Sequence, residues 1–153
     1  QQEQQLALPL ARLTQLLSDQ GVNDLRFSRK QIQRCLRLRT WWMRDQQQSA
    51  DALNERERLK LHLELEEDLP AFTLAWPMER QKEWLSRWRD QKDTLFHPSA
   101  PLNGRTLQAE LGLHPGPRLG ELMDHLCLER AFGRIRSQDD AIQCARAWIN
   151  KPL

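Results

Sequence analysis

The sequence predicts an all-α fold: multi-helical, with roughly seven to eight helices and no catalytic sheet. Three observations predict it. Leu, Arg, Gln and Glu abound across the 153 residues while β-branched residues are few, and that composition favours helix. Apolar residues recur mostly at helical spacing. Proline, glycine and short polar residues stand where helices start and stop. Charged residues make up 29% of the chain and the mean hydropathy is −0.75, so the apolar supply is thin. The length still suffices to bury a core, as one domain or two small ones.

The first helix is marked by Leu6, Leu10, Leu13 and Leu17, with Pro9 near its start and Gly21 just past its end. Gln1 to Gln5 reads as a frayed polar end, and Asn23 to Leu25 as a connector. Ser28-Arg29-Lys30-Gln31 is a capping box: the Ser28 oxygen is placed to accept the Gln31 N–H. Phe27 and Ile32 flank it as a hydrophobic staple. Ile32, Cys35, Leu36 and Met43 make the expected inward stripe of this second helix.

Its other faces are basic. Arg26, Arg29, Lys30, Arg34, Arg37, Arg39 and Arg44 are uninterrupted by any acid, and Trp41-Trp42 end the run. A basic stripe with aromatics is an electrostatic footprint for nucleic acid. It also suits pairing with an acidic neighbour, and one follows. Between Asp51 and Asp68 the acids are Asp51, Glu55, Glu57, Glu64, Glu66, Glu67 and Asp68, against Arg56, Arg58 and Lys60. From the sequence alone both readings stand.

Leu59, Leu61, Leu63 and Leu65 alternate as a strand would, but they and their neighbours are helix formers with no partner strand nearby, so this segment is read as a helix packed on two sides. Pro70 starts a short helix through Trp76. Pro77 starts another through Asp93, with Trp84, Leu85 and Trp88 inward as core rather than as base-stacking platforms. His97-Pro98-Ser99-Ala100-Pro101 is a linker, which divides the chain into a helical body over 1–97 and a smaller helical tail over 98–153.

The tail opens with Leu102 to Leu126, two short helices joined by an elbow. Gly112 can end the first in the left-handed conformation. Pro115-Gly116-Pro117 turns the chain, and Pro117 suits the first position of the next helix. Leu119, Leu122, Met123 and Leu126 share a face. This is either a tight helix–helix corner or, with free N–H groups beside Arg118, a place for a phosphate. Ser137-Gln138-Asp139-Asp140 caps a last helix whose buried face is Ala141, Ile142, Ala145 and Ile149, ended by Asn150 and Pro152.

Arginines outnumber lysines, 18 to 5, and arginine forks onto phosphate and stacks on bases as lysine cannot. Cys35, Cys127 and Cys144 have no paired spacing, so free, mostly buried thiols in a reducing, cytoplasmic compartment are expected. No apolar run approaches the ~20 residues that span a bilayer, and no membrane partner is expected. No secretory leader is visible. The chain begins at Gln1 rather than Met and is expected to be a piece of something longer. His62, His97 and His114 are scattered and His125-x-Cys127 is a single pair, short of the four ligands of a structural zinc site. There is neither a P-loop nor a dinucleotide fingerprint.

The pattern Leu102-x-Gly104-x-x-Leu107, then Leu111-Gly112-Leu113-x-Pro115-Gly116-Pro117-x-Leu119-Gly120-x-Leu122, resembles the C-terminal region of bacterial tRNA nucleotidyltransferases. These are the CCA-, CC- and A-adding enzymes and their poly(A) polymerase relatives. The resemblance continues through Gly133-Arg134-Ile135 and Ser137-x-x-Asp140-Ala141, and more weakly back through Phe27-Ser28-Arg29 and Leu69-Pro70-Ala71, most like cyanobacterial versions. It implies an RNA-binding body and tail that hold the acceptor and T arms of tRNA. An absent N-terminal head would extend the 3′ end from CTP and/or ATP with magnesium.

The head's chemistry needs clustered carboxylates to hold metal ions. The family's spaced Asp-x-Asp pair has no match here, since Asp139-Asp140 is adjacent and suits capping. No catalytic residue, metal ligand or cofactor site is therefore expected in this chain. Charge and position nominate Arg105, Arg118, Arg134 and Arg136 around the elbow for phosphate contact, then Arg29, Lys30, Arg37 and Arg39 on the basic helix. A helical protein–protein module, or an RNA binder without tRNA preference, remains the alternative.

Overall fold

The computed structural model describes residues 2–150. Among them run nine α-helices, one 3-10 turn and no strand. They form two compact units, Gln1–Asp90 and Gln91–Leu153. The division thus falls ahead of the Pro98 linker, just after the helix that ends at Arg89.

The first unit holds α1 (Gln2–Leu16), α2 (Asp19–Asp24), α3 (Arg29–Gln47), the 3-10 turn Ala50–Ala52, α4 (Glu55–Leu65), α5 (Leu69–Thr73) and α6 (Met78–Arg89). Its beginning departs from the sequence reading. Pro9 lies inside α1 rather than near its start. Gly21 ends no helix: it sits within α2, where its N–H donates to the Ser18 side chain at 3.1 Å. A serine cap and the burial of Val22 explain a helix where a connector was expected, because a capped turn with one anchored apolar residue offsets a poor helix former. Gln1, Pro152 and the Leu6 side chain lie outside the described residues.

The Ser28 capping box forms as expected. Gln31 N–H donates to Ser28 Oγ at 3.3 Å, and Ser28 N–H to Gln31 Oε1 at 3.1 Å. The buried stripe of α3 is different: Cys35, Leu38 and Trp41 are inside, Ile32 and Leu36 are half-buried, and Met43 is exposed. Trp41 fills more of the interior than Met43 would, and its indole N–H finds Glu64 Oε2 at 2.8 Å. The alternating leucines do form helix α4, with Leu59, Leu61 and Leu65 buried and Leu63 outward. Asn54 and Glu57 close a capping box at its start. All five residues of α5 are buried, and it packs against α1, α3, α4 and α6. It is the centre of the unit, and Pro70 supplies its first turn, where a missing N–H costs nothing.

A polar clasp ties α3 to α6. Asp45 Oδ1 accepts the Ala50 N–H at 2.7 Å, and Oδ2 accepts the Trp76 indole N–H at 2.7 Å. Arg80 donates to both Asp45 oxygens, at 2.9 and 3.3 Å, and to Asp51 Oδ2 at 2.8 Å. Its guanidinium lies 3.5 Å above the Trp76 ring centre, and Trp84 donates to Asp51 at 2.9 Å. Burial would raise the Asp45 carboxyl. The donors from Arg80, Ala50 and Trp76 outweigh it and hold the group below the usual carboxylate range.

The second unit holds α7 (Gly104–Leu111), α8 (Pro117–Ala131) and α9 (Gln138–Ile149). Its core is Leu102, Leu107, Leu119, Leu122, Leu126, Ile135, Ala141 and Ala145, so the leucine face expected of α8 is the buried one. Met123 and Ile142 are half-buried against it. Gly112 takes the left-handed conformation (φ 63°) and returns its N–H to Gln108 O at 3.0 Å. Pro117 is the first residue of α8. Ser137 and Asp140 close their capping box, with N···O distances of 3.0 and 3.1 Å. Asn103, unanticipated, caps α7 by accepting the Thr106 N–H at 2.8 Å.

Candidate nucleic-acid interface

The basic helix α3 is occupied largely with its own unit. Arg34 sets its guanidinium against Asp68, with Nε 2.9 and 3.1 Å from the two carboxylate oxygens. That bond, against the cost of burial, raises the arginine above its ordinary range. Arg44 pairs with Glu57. Arg39, one of the nominated residues, does not face outward. It donates to Thr14 O at 2.8 Å, to Leu17 O, and pairs with Asp19. These are the free carbonyls at the end of α1 and the acid at the start of α2, so Arg39 caps one helix and ties down the next. Trp42 donates to Phe72 O at 2.8 Å. Trp41 and Trp42 lie within α3 rather than at its end, and both indole N–H groups are held by the protein.

What remains on α3 is Arg29 and Lys30, exposed in its first turn and without a partner among the described residues, and Arg37. The Arg37 guanidinium is exposed and makes only long contacts, 3.4 Å to Gln33 O and 3.5 Å to Glu64 O. Lys30, Arg34 and Arg37 line a cleft of about 260 Å³, but Glu64, Glu66, Glu67 and Asp68 form its other wall. That wall opposes a polyanion.

The second unit gathers the elbow arginines differently. Helix α8 starts at Pro117 with no side-chain cap and no acid in its first turn, so the positive end of the helix is left to other partners. Arg118, its second residue, is exposed. It donates to Ile149 O at 3.2 Å and lies 6.0 Å from the centre of the Trp148 ring. Trp148 in turn stacks on His125, centres 6.4 Å apart. His125 Nδ1 is 4.0 Å from Glu129 Oε1, and Arg134 Nε is 2.6 Å from Glu129 Oε2. Arg118 and Arg134 are therefore the two ends of one continuous row of aromatic and ionisable groups along α8 and α9. Arg134 also lies 5.6 Å from the Phe132 ring centre.

Arg136 is placed elsewhere. Its Nε reaches Gly133 O at 3.3 Å, and with Arg130, Ser137 and Gln138 it lines a cleft of about 230 Å³. Arg105 is exposed in the first turn of α7 and has no partner among the described residues. Sequence reading gave Trp148 no role and saw His125 only in its pair with Cys127, yet these two are the links of the row. They stand on different helices, and no local spacing signals that they meet.

Among the described residues, no three His, Cys, Asp or Glu side chains come together as metal ligands, and no helix is long and apolar enough to cross a membrane.

No family model matches the chain, and no solved structure matches it. It is similar to the A-adding tRNA nucleotidyltransferase of Deinococcus radiodurans, 37% identical over 57 residues. That stretch covers 35% of this chain and 13% of the relative, so the chain corresponds to a small part of that protein's length.

Proposed function

We propose that this chain is an RNA-holding part of a tRNA nucleotidyltransferase, gripping the acceptor and T arms while a catalytic head outside it extends the 3′ end. The similarity to an A-adding enzyme carries the reading. The Arg118–Arg134 row supplies a surface that suits it. A-form RNA hides its base edges in a narrow major groove, so a grip on it works through phosphates, 2′-hydroxyls and shape. Arginines at both ends of a half-buried aromatic row meet two phosphates while Trp148 keeps the side chains between them in place. Arg105 and Arg136 extend the surface, and Arg29, Lys30 and Arg37 form a second, weaker patch. Arg39 ranks last, since its donors already serve α1.

In this reading the protein works in the cytoplasm, and CTP and/or ATP with magnesium belong to the head. The residues of this chain bind and orient tRNA and take no part in the transfer step.

The test is binding of the chain to an acceptor–T-arm minihelix and to a plain RNA duplex of equal length, at two salt concentrations. Phosphate-driven binding weakens by about 0.7–0.9 log units per contact per log of salt. Preference for the minihelix, lost in Arg118→Gln with Arg134→Gln, is the expected result. Glutamine is the better replacement, because a glutamate at 134 would also repel Glu129. Equal binding of both RNAs leaves a general RNA binder. No binding to either, or an unchanged double variant, refutes the proposed grip.

A further inference from the structure

Three cysteines lie in this chain, and they differ in their surroundings. Cys35 is fully buried in α3. Cys127, on α8, is half-buried; burial and then the nearby Asp124 charge push its thiol up. Cys144, on α9, is also half-buried, but its Sγ lies 3.6 Å from His125 Nε2 across the α8–α9 contact. The opposite ring nitrogen, Nδ1, faces Glu129 at 4.0 Å. That carboxylate oxygen, Oε1, also accepts from Arg134 Nη2 at 3.2 Å, so the carboxylate acts on Nδ1 through its charge and not as a hydrogen-bond partner. With the proton on Nδ1, Nε2 is an acceptor aimed at the thiol. Nucleophile, base and orienting acid thus stand in order along two helices.

We propose that Cys144 is a reactive thiol, deprotonated by His125, and that it is a modification site for soft electrophiles and hydroperoxides. The thiol proton moves to His125 Nε2, and the resulting imidazolium is stabilised by Glu129 on one side and the thiolate on the other. Among the charged groups around the pair, Arg134 shares Glu129 and offsets part of its field, and Arg118 adds positive charge across Trp148. With hydrogen peroxide, the thiolate sulfur attacks one peroxide oxygen. A sulfur–oxygen bond forms and the O–O bond breaks. The leaving hydroxide takes the proton from His125 as water, and the cysteine is left as a sulfenic acid. With an alkyl halide such as iodoacetamide, a sulfur–carbon bond forms, iodide leaves, and the proton stays on the imidazole.

The experiment follows alkylation of each cysteine in the intact chain by iodoacetamide, mapped by peptide mass spectrometry across about pH 6 to 9. Cys144 is expected to react about tenfold faster than Cys127 near neutral pH, with its rate rising at a lower pH. His125→Gln should slow Cys144 about tenfold and leave Cys127 unchanged. Unfolding of that variant would show as faster reaction at all three cysteines, including buried Cys35. The wild-type comparison of Cys144 with Cys127 then decides. Equal rates at the two sites, or a folded His125→Gln chain in which Cys144 is unaffected, would overturn the proposal. In parallel, hydrogen peroxide with dimedone should label Cys144 as a sulfenic acid. Absence of that adduct would remove the hydroperoxide chemistry.

Discussion

Replacing Asp45 by alanine should destabilise the first unit more than any exposed change on α3. The carboxylate serves three donors: the Ala50 N–H, the Trp76 indole and Arg80. Arg80 keeps Asp51 at 2.8 Å and Ser49 at 3.0 Å, so its loss is partial. The other two donors are stranded, and a buried donor left without a partner costs about 1–3 kcal/mol. Asp45 retains a side-chain exposure of 13%, so water reaches some of the gap and the lower half of that range applies to each. About 3 kcal/mol in all is expected once the weakened Arg80 contact is added.

Urea unfolding followed by tryptophan fluorescence measures it, because Trp41, Trp42, Trp76, Trp84 and Trp88 lie in the first unit and only Trp148 in the second. With an m-value of about 1–2 kcal/mol/M, the midpoint should fall by about 1.5–3 M. Asp45→Asn keeps one acceptor oxygen and should lose about half as much. A loss under about 0.5 kcal/mol in Asp45→Ala would refute the reasoning. It would mean that the clasp is no stronger than a surface pair.

Further outcomes follow from the same contacts. Asp45 is held below its usual range when folded, so its contribution is complete above the unfolded carboxyl value and disappears as pH falls through the folded one; acid titration should therefore be steeper in the wild type than in Asp45→Asn. Arg39→Ala should cost about 1–2 kcal/mol by freeing the Thr14 and Leu17 carbonyls, and should leave RNA binding unchanged in a filter-binding assay. Gly112→Ala should cost about 1 kcal/mol, because a Cβ meets no neighbour but the left-handed backbone disfavours it. Asn103→Ala should cost a similar ~1 kcal/mol through the lost cap. Hydrogen exchange along α7 and α8 checks both.

Local chemistry was readable from the sequence. The two serine capping boxes, the proline starts of α5 and α8 and the glycine end of α7 depend on neighbours within four residues, and each stands where the residues put it. The failures have a common cause. Gly21 reads as a stop because glycine is a poor helix former, yet Ser18 and buried Val22 carry the helix through it. Met43 reads as core because of its spacing, yet Trp41 takes that role through Glu64, twenty-three residues on. The Asp45 clasp and the Arg118–Arg134 row are built across helices, so their partners are separated by tens of residues and leave no periodic trace. The pairing found on α3 depends on such distant partners as well. Arg34, Arg39 and Arg44 each found an acid, but only Arg34 and Arg44 found one in the acidic stretch that follows. Asp19 lies before the helix.

That charge pairing bears on where a polyanion would settle. An arginine bound to a carboxylate presents little net field, and moving it to a phosphate abandons one charge-assisted bond to form another. On α3 this applies to Arg34, Arg39 and Arg44, and the cleft beside Arg37 has an acidic wall. In the second unit, Arg134 has the same handicap through Glu129. Arg118 does not: its protein contacts are a carbonyl and an aromatic face, both of which leave its charge uncompensated. It also stands within the uncapped first turn of α8, where the backbone adds to its field. If one residue of this chain dominates phosphate binding, Arg118 is that residue. Arg118→Gln alone should then reduce minihelix affinity more than Arg134→Gln alone, and should lower the salt slope by about 0.7–0.9. The reverse order would show that the Glu129 pair opens on binding and that Arg134, not the helix start, carries the grip.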